Sequence, residues 1–306
     1  MRPPRRGYAI SPADRSPVFF EHWEATPVAR RAPVVLCDGI GCDGYVWRHL
    51  LDDLADREVV HWHYRGHGRT PPPRDPARVA IADLADDLVA VLDEVGVRRA
   101  VLAGHSMGVQ VALEALRRHP TRVRGLILAC GAPSHPLRTF HGAAVLEEIL
   151  PRIQKLVARA PSLLNRISRA VLPTRLAFEI ATRLEINREL VDPDDFMPYL
   201  EGMARMDVRL FTTMLGEAGR HSADDLLPQI EVPTLVIAGG RDGFTPPARS
   251  HEMADRIPGA DLLLIEEGSH TAPIERPELV GPAVTRFLHE RVDPARSQPE
   301  DVEIAG

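Results

Sequence analysis

Lysine is nearly missing from this sequence: among 37 basic residues, Lys155 is the only lysine. Acidic residues number 43 and the net charge is −6, with no basic stripe, which disfavours a nucleic-acid partner. Cysteine is almost as scarce. Cys37, Cys42 and Cys130 are too few for a disulfide framework. Two of them fall in or beside apolar runs and read as small core residues. No run approaches the roughly 18 apolar residues of a transmembrane helix, so no membrane span is expected. The start, Met1-Arg-Pro-Pro-Arg-Arg-Gly, carries charge without an apolar stretch behind it and does not read as a signal peptide. These absences point to a reduced, cytoplasmic protein.

What remains has the composition of an ordinary globular protein, 44% hydrophobic and 26% charged over 306 residues. That length suits one large α/β domain or two small ones. Residues 1–6 read as a flexible arm. Gly7–Ile10 and Val18–Ala25 read as strands, and Pro33–Cys37 as a buried strand followed by Asp38-Gly39-Ile40-Gly41. Tyr45–Leu54 has helical spacing, Glu58–Tyr64 is a further strand, and Val79–Val95 is a strong amphipathic helix stopped by Gly96. Apolar runs alternating with helices mean a mostly parallel sheet covered on both faces. The alternation breaks after Val123–Ala129. From about 134 to 228 there is only helical periodicity, interrupted by prolines, before strands resume at Thr234–Ala238 and Asp261–Ile265. The organisation read from this is a core of residues 7–133 and 229–291, a helical cap of 134–228, and flexible tails at 1–6 and 292–306.

The stretch Val101–Gln110 organises the rest. An apolar run enters Gly104-His105-Ser106-Met107-Gly108, and a helical pattern leaves it. This is G-x-S-x-G in strand–turn–helix context, the nucleophile elbow. The turn holds Ser106 at a strained apex, with the next N–H, that of Met107, aimed where an oxyanion would form. Serine needs a base, and the base needs a third group to fix its tautomer. The elbow requires the chain order serine, acid, histidine. Asp242 follows one strand end and His270 follows the next, so the sheet would gather all three at one edge. Glu266 and Glu267 are the nearest rival acids, on the histidine's own loop. A second oxyanion donor is expected from the loop after the third strand, at the N–H of Ile40. Asp38 beside it would oppose a developing negative charge. An unpaired buried carboxylate is costly, so an arginine partner is favoured, with the Arg65–Arg69 loop as its source.

Taken together, Gly104–Gly108, Tyr64-Arg-Gly-His-Gly-Arg-Thr70, Gly239-Gly240-Arg241-Asp242 and Gly268-Ser269-His270 resemble the α/β-hydrolase superfamily in its capped, esterase-like branch. The resemblance covers about residues 7–291. It implies an eight-stranded, mostly parallel sheet with an antiparallel second strand and a helical cap after strand six. Asp38-Gly39 departs from the His-Gly that many members carry. The expected function is serine-dependent cleavage of a carboxylic ester with a small to medium, largely apolar acyl group. No cofactor and no metal are expected; the partner is a small-molecule substrate, and a homodimer is admitted. Lactones, thioesters and C–C bonds would suit the same residues. Two readings from other classes compete: a metal site at His61, His63 and His67, whose His-x-His spacing on a strand can bind zinc, and a non-catalytic binding protein on this fold.

Overall fold

A computed structural model describes residues 3–25, 31–139, 145–184, 187, 189–191 and 193–294. At its centre are the strands β1 (Arg5–Ile10), β2 (Pro17–Trp23), β3 (Val34–Cys37), β4 (Val59–Trp62), β5 (Ala100–His105), β6 (Val123–Ala129), β7 (Thr234–Gly239) and β8 (Asp261–Ile265). They form one eight-stranded sheet in the order β1-β2-β4-β3-β5-β6-β7-β8. Strand β2 is antiparallel to both its neighbours, and every pairing from β4 across to β8 is parallel. The unbroken apolar runs follow from this geometry. Strands β3, β4, β5 and β7 are buried at every position, because both faces are covered. Alternate side chains then feed two cores. Val35, Cys37, Val60 and Leu102 enter one; Val34, Leu36, Val59 and Val101 enter the other.

The helices are α1 (Leu50–Asp53), α2 (Ile81–Val95), α3 (Met107–Arg118), α4 (Val145–Arg159), α5 (Pro161–Val171), α6 (Arg175–Leu184), α7 (Pro193–Arg205), α8 (Val208–Arg220), α9 (Pro247–Arg256), α10 (Ala272–Glu275) and α11 (Pro277–Phe287). Helix α2 ends at Gly96 in the left-handed region, φ 78°, as its sequence anticipated. Helices α4–α8 all lie between β6 and β7. Met206, Leu210, Met214 and Ala218, on or beside α8, join the core against the sheet. By contrast, α5 buries none of its residues.

Three expectations need correcting. Of the arm expected at residues 1–6, Arg5 and Arg6 belong to β1, where they pair with His22 and Glu21, and Arg6 Nε donates to Glu21 at 2.7 Å. Met1, Arg2 and residues 295–306 of the expected tail lie outside the described residues. Val292 is buried and Asp293 accepts from Arg57 at 3.1 Å, so the chain is held through position 293. The helix expected over 45–54 splits into a 3₁₀ turn, Tyr45–Trp47, and the single turn α1. Tyr45, Val46 and Trp47 are all buried, and three consecutive buried residues do not fit one face of an α-helix.

Candidate active site

Ser106 stands at the junction of β5 and α3 with φ 55° and ψ −118°, a costly conformation for a residue with a Cβ. Its flanking glycines are demanded by space. A Cβ on Gly104 would lie 2.3 Å from the Gly108 carbonyl oxygen, and one on Gly108 would lie 2.2 Å from that of Cys37. A Cβ on Gly39 would meet the Ser106 Cβ at 3.1 Å, so the loop after β3 lies directly against the serine.

The residues that sequence order nominated come together. His270 Nε2 is 2.9 Å from Ser106 Oγ, and His270 Nδ1 is 2.9 Å from Asp242 Oδ2. The Asp242 carboxylate is fully buried. Its Oδ1 accepts from the N–H groups of Phe244 and Thr245 at 2.8 and 2.9 Å, and its Oδ2 accepts from the Thr245 hydroxyl at 2.8 Å. Such a carboxylate is an acceptor, so the shared proton belongs to His270 Nδ1. His270 Nε2 then offers its lone pair to the Ser106 hydroxyl.

Other residues hold this line in place, and sequence reasoning had not singled them out. His105 Nε2 donates to the His270 carbonyl at 2.8 Å, and burial pushes its pKa down to about 4, so the ring is neutral. Glu275 accepts from the Ser269 N–H at 2.6 Å and from the Thr271 hydroxyl at 2.9 Å, pinning the His270 loop from both sides. The Phe244 ring lies 4.9 Å from the His270 ring, centroid to centroid. The Asp-x-x-Thr spacing of Asp242 and Thr245 was a usable signal, since a side chain there bonds backbone two or three residues on. Of the rival acids, Glu267 is engaged by Arg276.

A cavity of about 90 Å³ opens on Ser106 and His270. Ile40 and Met107, the expected oxyanion donors, both line it. Met107 is the first residue of α3, so its N–H has no acceptor within the helix. Leu137, Leu146, Tyr199, Leu215 and Ala218 supply an apolar wall from the insertion. Cys42 also lines the cavity, but burial raises its thiol well above the ordinary range and keeps it protonated.

Asp38 corrects the expectation of an arginine partner. His61 Nε2 is 2.8 Å from Asp38 Oδ2, and both side chains are buried. Register explains the pairing. Leu36 stands opposite His61 on neighbouring parallel strands, and Asp38, two residues on, keeps to the same face. Arg65 turns instead to Asp87, donating through Nε at 2.6 Å, and to Ser11. Burial opposes charge on His61, but Asp38 and then Glu21 outweigh it and push its pKa up to about 9. His63 is driven the other way, to about 3, by burial and then by the His61 charge. His67, lowered to about 4 by burial, accepts the Gly41 N–H at Nε2, 2.9 Å away, while its Nδ1 faces the Arg65 carbonyl at 3.0 Å. His63 Nδ1 accepts from the Arg69 N–H at 2.8 Å. The histidines that suggested a metal thus engage protein groups: His61 and His67 reach the loop of Ile40, through Asp38 and the Gly41 N–H, and His63 holds the Arg69 N–H.

The chain matches the model of the alpha/beta hydrolase fold over residues 32–277. It belongs to that family. Among its curated relatives, the putative carbamate hydrolase RutD of Caulobacter sp. (strain K31) is 29% identical over 266 residues, spanning 86% of this chain and 92% of the relative. The protein of the same name from Variovorax paradoxus (strain S110) is also 29% identical, over 87% of this chain and 95% of its own. Among solved structures, a thermophilic esterase from Thermogutta terrifontis superposes with a TM-score of 0.71 at 25% identity, covering 94% of this chain and 99% of its own. The enol-lactonase from Burkholderia xenovorans LB400 has a TM-score of 0.72 at 22% identity, covering 92% and 99%, and attests the fold.

Proposed function

We propose that this alpha/beta hydrolase is a serine hydrolase that cleaves a carboxylic ester with a small to medium, largely apolar acyl group through an acyl-enzyme. The observation that carries the reading is the unbroken line from Ser106 Oγ through His270 to Asp242, with both hydrogen bonds 2.9 Å long. Ser106 attacks the carbonyl carbon as its proton passes to His270 Nε2. The Ile40 and Met107 N–H groups hold the oxyanion. His270 returns the proton to the leaving alcohol, and water, activated in the same way, releases the acid. Asp242 fixes the tautomer and faces the imidazolium. Residues 134–228 act as a cap, and the acyl pocket is shaped by Leu137 and by Leu146, Tyr199, Leu215 and Ala218 of α4, α7 and α8. A serine-directed phosphonate should label Ser106 once and abolish ester hydrolysis together; labelling elsewhere, or activity surviving stoichiometric labelling, refutes the assignment.

A second reading, hydrolysis of a carbamate, has one observation in its favour besides its relatives' names. Gln110 lines the cavity, donates through Nε2 to the Ala218 carbonyl at 2.9 Å, and leaves its buried Oε1 without a partner among the described residues. A carbamate N–H would satisfy that acceptor; a simple ester would not. Matched ester and carbamate substrates assayed with wild type and Gln110→Leu separate the two readings.

A further inference from the structure

Helices α4, α5 and α6 turn apolar residues outward with unusual regularity. Val145, Ile149 and Leu156 are 54%, 38% and 56% exposed on α4. Leu163, Ile167 and Val171 are 53%, 48% and 48% exposed on α5, four residues apart each time. On α6, Leu176 and Ile180 repeat the spacing at 68% and 49%. Residues three, four, seven or eight apart share one helix face, so each helix presents a stripe rather than scattered side chains. The opposite face of α5 is already used: Asn165 Nδ2 donates to Asp207 at 2.8 Å, and its Oδ1 accepts the Val208 N–H at 2.9 Å. The stripes therefore do not belong to the core.

Charge says what would cover them. Residues 145–180 hold six basic side chains, Arg152, Lys155, Arg159, Arg166, Arg169 and Arg175, against Glu147, Glu148 and Glu179, inside a chain of net charge −6. All six basic residues are exposed. Arg152 stands between Ile149 and Leu156 on the same stripe, and Arg159 and Arg166 each follow a stripe leucine by three residues. Apolar side chains flanked by cations on one face are the composition of a helix that lies in the interface of an anionic bilayer. Another copy of this acidic chain would bring the same cations with it and face like charge at a shared stripe.

We propose that α4–α6 form a docking surface for an anionic lipid interface, with the stripe residues in the headgroup–acyl boundary and the arginines on lipid phosphates. The proposal stands apart from the chemistry assigned to Ser106. Its test is co-sedimentation of the full chain with vesicles of phosphatidylcholine alone and of phosphatidylcholine with phosphatidylglycerol. Uptake should be about tenfold greater on the anionic vesicles and should fall as salt rises. Ile167→Glu and the pair Arg152→Glu/Arg166→Glu should each reduce it by about tenfold or more. These positions are exposed, and unchanged circular dichroism and ester turnover would show that the variants fold. Equal uptake on both vesicles, no uptake on either, or uptake unchanged in the variants overturns the proposal. So does concentration-dependent dimerisation that Ile167→Glu abolishes without any vesicle binding.

Discussion

The two sides of the cavity are built by different means. On one side, Ser106, His270 and Asp242 follow the ends of β5, β8 and β7, and each hydrogen bond in the line joins side chains to which the proposed mechanism gives a part. On the other, the Asp38–Gly44 loop presents backbone, and histidines borrowed from β4 and its following loop hold it. Under the proposed mechanism the first side answers to reaction chemistry, which tolerates few residue types. The second is dictated by packing and by the need to satisfy buried polar groups, which many residues could meet.

The largest effect that would break this contrast is at the serine. Ser106→Ala should lower kcat by about 10⁴-fold or more, with Tm nearly unchanged because the backbone strain is the same in both. Full activity would dissolve the line. Asp242→Asn comes next, with a kcat loss of up to about 10⁴-fold, since the amide no longer selects the tautomer that Ser106 needs; lost stability with kcat unchanged would make Asp242 part of the fold only. On the loop side, the losses should be smaller and should arrive together with lost stability. Asp38→Asn removes one charge of a buried pair and should cost about 3 kcal/mol in chemical denaturation, with kcat down about tenfold. Faster turnover would mean instead that Asp38 opposes the oxyanion. The most gradual effect is in pH. The His61 pKa is about 9 in the folded protein against 6.5 for an unperturbed histidine. A proton held more tightly when folded stabilises fully below pH 6.5, and that stability fades as pH rises towards about 9. Tm should therefore decline across that window, and His61→Gln should flatten the decline; an identical slope in both would take the charge off His61.

What could be read from sequence divides along the same line. The alternation of apolar runs and helices, the break after β6, and the order Ser106, Asp242, His270 were all legible, because each follows from periodicity or from the elbow's demands. The partner of Asp38 was not. Arginine was the reasonable expectation with 36 of them in the chain, and only the register of Leu36 against His61 decides for histidine. The helix over Tyr45–Leu54 failed for a similar reason. Its spacing looked amphipathic, yet burial of three residues in a row, set by the neighbouring elements, overrode local preference. Glu275 was hidden because its task is to satisfy the Ser269 N–H and the Thr271 hydroxyl, a need that exists only once the loop is closed.

The bond from His105 to the His270 carbonyl deserves to be seen as mechanics. Ser106 sits at the end of β5, in the middle of the sheet, whereas His270 hangs from β8 at its open edge. An edge strand is paired on one side only and leaves backbone groups unpaired on the other, so fewer bonds hold it in place. The imidazole of His105 moors that edge to the centre by the backbone of the very residue that must stay aligned. The bond ties the loop after β8 to the central strand at the residue whose Nε2 lies 2.9 Å from Ser106 Oγ. Anyone transplanting this site into another scaffold would need to carry the mooring along with the three residues it serves.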